Sequence, residues 1–259
     1  MDATHRVLVL GATGRTGGRV VTQLLDRGVA VRAIVRSADR LLAEVAGRPL
    51  LEVVEAELLT MPTADLVAHL DGCDAVISCL GHTISVRGVL GPPHDLVRYA
   101  LSQVQAAIEA NPPPAPVRLI LMGSVSVNQP KCADSRRGAG QRAFLSALRL
   151  VLPPSRDNQR AADFLALDVG PADPHLHWVV VRPDTLEEGD VGEYVVHEAI
   201  VSSLFRPDHT RMAHVAHLMC ELVTDDTTWE RWRGRMPVVV DAEPAEEKTS
   251  QLSGKERAS

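Results

Sequence analysis

A doubly wound α/β fold, with a parallel sheet covered by helices on both faces, is what this sequence predicts, and three observations predict it. Residues 7–18 read VLVLGATGRTGG, an apolar run that enters a glycine-rich turn and continues with the helical spacing of Val20, Val21, Leu24 and Leu25. Beyond it, short apolar runs alternate with amphipathic stretches, the pattern of parallel strands buried on both faces. The 259 residues are 45% hydrophobic but only 3% aromatic, so one large core must be built mainly of Val, Leu, Ala and Ile.

Strands are expected over 6–10, 29–36 (VAVRAIVR), 50–55 (LLEVVE), 74–79 (DAVISC), 117–122 (VRLILM) and 177–181 (HWVVV). Helices are expected over 14–27, from 37 or 39 to 46, over 64–70 after Pro62, and over 94–110. The run Asn111-Pro112-Pro113-Pro114 stops the last of these, because proline lacks the N–H and clashes with the preceding turn. Two segments interrupt the rhythm. Residues 128–155 carry a basic stretch (Lys131, Arg136, Arg137, Arg142), a helix expected over 141–152, and Pro153-Pro154. Residues 187–210 hold Gly189, Gly192 and a β-like run at 194–197. Material inserted after strand C-termini forms the substrate side in such folds, so both segments are assigned to a small substrate-side lobe toward the C-terminus. A final helix over 211–224 and a strand over 237–240 close a single domain spanning 1–241. The polar remainder, AEPAEEKTSQLSGKERAS, reads as a disordered tail.

A net charge of −6 disfavours binding to phosphate backbones, and the scarcity of aromatics removes the stacking platforms of a nucleic-acid surface. Cys73, Cys79, Cys132 and Cys220 lack metal-ligand spacing and read as free thiols in a reducing compartment, so no metal is expected. No apolar run suits a leader or a membrane span, which makes a cytoplasmic protein the expectation.

The opening motif carries the chemistry. Glycines at 11, 14 and 17 permit a sharp turn, close approach of an anion to the backbone, and tight packing of helix on strand. The helix N-terminus then offers free N–H groups and a positive dipole end. Gly11, Thr13, Gly14, Arg15, Thr16 and Gly17 are therefore the candidate pyrophosphate cradle of a Rossmann-type dinucleotide site. Sites that prefer NAD place an acid at the end of the second strand. This chain has Arg36 there, with Arg32 before it and Arg15 in the loop, and a guanidinium suits a 2′-phosphate. NADP(H) is expected over NAD(H), with Arg36 as first partner and Arg15 as second. Arg32 has a competing reading as a residue that meets solvent or a helix carboxylate.

Taken together, GATGRTGG, VRAIVR, DAVISCLG, RLILMGSVSVN and WVVVRPDTL resemble an atypical short-chain dehydrogenase/reductase of the NAD(P)H-binding, NmrA-like group. The resemblance covers about the first 190 residues and again 210–222. It implies that Glu57-Leu58 touches the adenine, although Glu57 also reads as a solvated loop acid. It implies further that Cys79-Leu80-Gly81 passes the nicotinamide ribose, that Met122-Gly123 lies beneath the nicotinamide, and that Pro183 lies near its carboxamide.

The Tyr-xxx-Lys pair of such reductases is missing. Neither Tyr99 nor Tyr194 has lysine four residues on, and the expected position reads RDNQRAAD at 156–163. Arginine cannot replace lysine and tyrosine in proton transfer, because guanidinium stays protonated. Three candidates remain: Ser124, with Ser126, to orient a substrate oxygen; His82 as a proton source or a solvated loop residue; and Asp157 as a base or as the N-cap of its own helix. The resulting expectation is hydride transfer to a small flavin-, quinone- or carbonyl-type acceptor. The alternative is a non-catalytic NADP(H) sensor that acts through a protein partner or a second copy of itself. A redox-neutral epimerase or lyase is a third class, for which the sequence offers no convincing acid–base pair.

Overall fold

The computed structural model describes residues 5–81, 95–130, 140, 153–202 and 207–242. In chain order the elements begin with β1 (Arg6–Leu10), α1 (Arg15–Asp26), β2 (Ala30–Val35), β3 (Leu51–Glu55), α2 (Thr63–Leu70) and β4 (Ala75–Ser78). They continue with α3 (Leu96–Ala110), β5 (Val117–Met122), α4 (Pro153–Asp163), β6 (Leu176–Pro183), β7 (Thr185–Glu187) and β8 (Tyr194–His197). The chain then forms β9 (His209–Arg211), α5 (Met212–Thr224), α6 (Asp226–Trp232) and β10 (Val238–Asp241).

The eight-stranded sheet has the order β3-β2-β1-β4-β5-β6-β10-β8, and β7 pairs with β9 apart from it. All pairings in the main sheet are parallel except β8 on β10. Strand order reverses between β1 and β4, so their C-terminal ends diverge into a crevice, the usual ligand position in an open α/β sheet. Alternate residues of each strand feed two cores. Val7, Val9 and Ile77 pack with Val20, Leu24, Met219, Trp229 and Trp232 of α1, α5 and α6. Leu8, Leu10 and Val76 pack with Leu66, Leu101, Val104 and Ala161 of α2, α3 and α4. Burial on both faces is why these strands read as unbroken apolar runs.

Three expectations need correction. The helix expected up to residue 46 is only a 3₁₀ turn, Ala38–Arg40, followed by i→i+3 bonds from Val45 N to Leu42 O and from Arg48 N to Val45 O. The tighter path drops Val45 fully into the core and lays Leu42 against Gly18. The helix over 211–224 is not the last one. Asp225 accepts hydrogen bonds from Thr227 N and Thr228 N, starting α6 and burying Trp229 and Trp232. A hydrogen bond from the Thr228 hydroxyl, followed by that from Thr228 N, holds the Asp225 carboxyl below the usual carboxylate range. Finally, α4 starts at Pro153, so Asp157 lies inside it rather than at its cap.

The helix expected over 141–152, the basic stretch apart from Gly140, and residues 243–259 of the expected tail lie outside the described residues. Among the described residues, no helix is long and apolar enough to cross a membrane.

Candidate nucleotide-binding site

The glycine loop fills the reversal point. Gly11 leaves β1 with φ +81°, and a Cβ there would lie 2.6 Å from the carbonyl oxygen of Cys79 at the end of β4. Gly14 N donates to Gly11 O at 3.0 Å, closing the turn. Gly17 sits on that same carbonyl so closely that any Cβ would overlap it. Gly14 is different: a Cβ there would meet only Gly11 O, at 3.2 Å. It occupies the N-cap of α1, where no side chain caps the helix and no acid sits in the first turn. Thr16 is buried, Thr13 is half-buried, and Gly14 and Arg15 face solvent. An uncapped helix start behind an exposed glycine fits a pyrophosphate.

The arginines separate clearly. Arg32 on β2 lies 2.9 Å from Glu52 on β3 and donates to His69 O at 2.5 Å. Its charge is met within the fold, by a carboxylate of the neighbouring strand rather than by solvent or a helix carboxylate. Arg15 and Arg19 share Glu188 from the segment 187–210, Arg15 at 3.8 Å. Arg36 is exposed just past β2 and, among the described residues, forms no ion pair or side-chain hydrogen bond. Sequence reasoning missed Glu55 at the end of β3, whose carboxylate accepts from Ala38 N at 2.9 Å and closes the same corner. Its signal lay in register, since Glu55 is aligned with Val35. Beyond it, Glu57 is exposed while Leu58 is buried in the α2–α3 core.

On the far wall, Cys79 N bonds Leu10 O at 2.9 Å, its Sγ lies 4.0 Å from Met219 Sδ, and burial pushes its thiol up to about 12. Its side chain therefore faces the core and only its backbone faces the loop. Leu80 is half-buried, and Gly81 stands in open space. Next along the edge, Met122 packs on the α1–α5 core, and Gly123 N bonds Val181 O at 2.8 Å. A Cβ on Gly123 would lie 2.9 Å from Val180 Cγ1. Val125 N donates to the carbonyl of buried Pro183 at 3.0 Å. Ser124 and Ser126 bring their hydroxyls within 2.5 Å, and Val127 N donates to Ser124 O at 3.0 Å, making a compact turn. Arg182, fully buried, anchors that turn through Val127 O at 3.1 Å and holds Met236 O at 2.8 Å.

The cradle, the Cys79-Leu80 wall and the Ser124 turn thus meet along one edge of the sheet. His82 lies outside the described residues. Asp157, offered above as a base, is fully buried and accepts from Val97 N at 2.8 Å and Arg98 N at 3.0 Å. It caps α3, a neighbouring helix, with both carboxylate oxygens engaged.

A second polar cluster joins the segment 187–210 to α5 and β10. Buried His214 accepts from Gly192 N at 2.8 Å and lies 2.6 Å from Asp241. Tyr194 bonds His217 at 2.9 Å, and burial pushes the phenol up to about 12. His217 is held below the usual histidine range by burial, then by Arg27, with His214 adding to this and Glu221 opposing. His177 is lowered too, by burial first. Between their folded pKa values and about 6.5 the unfolded chain binds more protons, so stability falls as pH drops through 6.5 and levels off below. Thermal denaturation should therefore show a lower Tm on acidification from about pH 7.5 to about pH 5.5. His217→Gln combined with His177→Gln should flatten that drop.

Fold and cradle together define a dinucleotide-binding α/β protein. Residues 11–226 match the family described as NAD(P)H-binding, and the chain belongs to that family. An uncharacterised chloroplastic protein of Arabidopsis thaliana is 42% identical over 80 residues, a stretch covering 30% of this chain and 28% of that protein. The oxidoreductase ylbE from Lactococcus lactis superposes with a TM-score of 0.65 at 19% identity, covering 96% of this chain and 97% of that one. ChuY, an anaerobilin reductase from Escherichia coli O157:H7, gives 0.62 at 19% identity, covering 93% and 100%. A short-chain dehydrogenase/reductase from Veillonella parvula in complex with NADP gives 0.64 at 13% identity, covering 93% and 95%. At these identities the structures establish the fold.

Proposed function

We propose that the chain is an NADP(H)-dependent reductase of small flavin-, quinone- or carbonyl-type acceptors, working without a Tyr-xxx-Lys pair. The observation that carries this reading is Arg36, an exposed guanidinium without a partner among the described residues, standing where an acid would select NAD. Gly14 and the N–H groups at the start of α1 receive the pyrophosphate, and Arg36, seconded by Arg15, receives the 2′-phosphate. When bound, the reduced nicotinamide supplies a hydride. The Met122-Gly123 end of β5 lies beneath its ring, and the Ser124–Ser126 pair orients the acceptor oxygen. Neither tyrosine is suited to act as the acid: Tyr194 is tied to His217, and Tyr99 is exposed on α3. An acceptor whose reduced form takes its proton from water tolerates that loss. The likeness to an oxidoreductase and to an anaerobilin reductase supports reductase chemistry as one that this fold carries, though fold alone does not choose it.

Arg36→Ala should raise the NADPH Kd by about 10-fold or more, the worth of one charge-assisted phosphate contact, and leave the NADH Kd unchanged. Titration of both nucleotides checks this, and equal weakening of the two would refute the 2′-phosphate role. NADPH oxidation with flavins, quinones and small carbonyl compounds tests turnover. The second reading, a sensor that signals through a partner, draws on Glu188, which links the substrate-side segment to Arg15 and Arg19 beside the cradle. Tight NADPH binding with no oxidation across the panel would select it.

A further inference from the structure

Among the described residues, two hydroxyls closed off from solvent, Ser78 Oγ and Ser155 Oγ, have no hydrogen-bond partner. A buried hydroxyl left alone costs about 1–3 kcal/mol, so each one asks for a reason. Ser155 is placed to have one. Four residues on, Gln159 on the same face of α4 clasps the backbone of Asn128: Asn128 N donates to its Oε1 at 2.9 Å, and its Nε2 donates to Asn128 O at 3.1 Å. Asn128 directly follows the turn headed by Ser124. The start of α4 also lies at the C-terminal edge of the sheet. Its Asp157 caps the first residues of α3, and α3 runs back from that edge to begin β5. Ser155 therefore stands one helical turn above Gln159, on the side where the acceptor would lie.

We infer that Ser155 is a substrate-binding residue that donates its hydrogen bond to an uncharged, carbonyl-type oxygen of the acceptor, opposite the Ser124–Ser126 pair. This rests on the reductase reading. A neutral hydroxyl donor suits a quinone, flavin or ketone oxygen. No bond at Ser155 breaks: the hydroxyl keeps its proton, and the reduced acceptor draws its proton from water.

The test uses the full chain as wild type, Ser155→Ala and Ser155→Thr, with NADPH oxidation in the presence of menadione, FMN or 4-nitrobenzaldehyde, and thermal denaturation of each variant. In Ser155→Ala, kcat/KM should fall by about 10-fold or more while Tm stays level or rises, because a buried orphan has been removed. Ser155→Thr should restore most of the activity. Full activity in Ser155→Ala overturns the assignment and leaves the reductase reading standing. Activity and Tm falling together, with no rescue by Thr, overturns it as well, since that is a packing role. A wild type that binds NADPH but oxidises it with none of the three acceptors removes the reductase reading, and this assignment with it.

Discussion

Gly11→Ala is expected to cost about 3 kcal/mol, lower Tm by about 9 °C and abolish nucleotide binding. Two penalties add. The left-handed backbone at φ +81° is strained for any L side chain, and the new methyl would sit 2.6 Å from the Cys79 carbonyl. That neighbour is backbone of a central strand held by Cys79 N to Leu10 O, so it cannot swing aside as a side chain would. Gly14→Ala is the control. Its methyl would be 3.2 Å from one oxygen, and the backbone there is extended (φ −83°), so Tm should move by no more than about 3 °C. Calorimetry and NADPH titration of the pair separate scaffold from cradle. Equal Tm losses in the two variants would mean that close packing of Gly11 on β4 is not what the loop requires.

Asp157→Ala should be nearly as damaging, at about 3 kcal/mol. It strands two N–H groups at the buried start of α3 and removes a negative charge from the positive end of the helix dipole. Asp157→Asn, which keeps one acceptor oxygen, should lose roughly half as much. The outcome distinguishes two duties for this carboxylate. If it caps α3, Tm falls in both variants and the folded fraction of Asp157→Asn still oxidises NADPH. If it is a base, Asp157→Asn keeps its Tm and loses turnover.

That ambiguity illustrates what the sequence could and could not convey. Strands buried on both faces announce themselves as apolar runs, and GATGRTGG between such a run and an amphipathic helix admits few geometries. Six parallel strands and the glycine turn between β1 and α1 were therefore legible. Position 157 was not, because its partners Val97 and Arg98 lie some sixty residues away and a cap on a neighbouring helix has no local pattern. Arg32 and Arg36 look alike in VRAIVR. Only the register that sets Arg32 beside Glu52 consumes one of them and leaves the other exposed. Segment 37–46 has a helical composition, yet packing Val45 beneath α1 overrides that propensity. Ser155 carries no signal in the sequence at all. Its interest comes from burial without a partner, which exists only once the chain has folded.

Glu188 bears on how the cradle behaves in solution. It is the shared counter-ion of Arg15 and Arg19, and both Arg15 (60% exposed) and Glu188 (61% exposed) stand largely in water. An anion arriving at the start of α1 must therefore displace a carboxylate already seated there. Added salt screens that internal rival as well as the attraction to the newcomer. The two effects oppose each other, so anion affinity at this helix start should fall with ionic strength less steeply than its two cations alone would dictate.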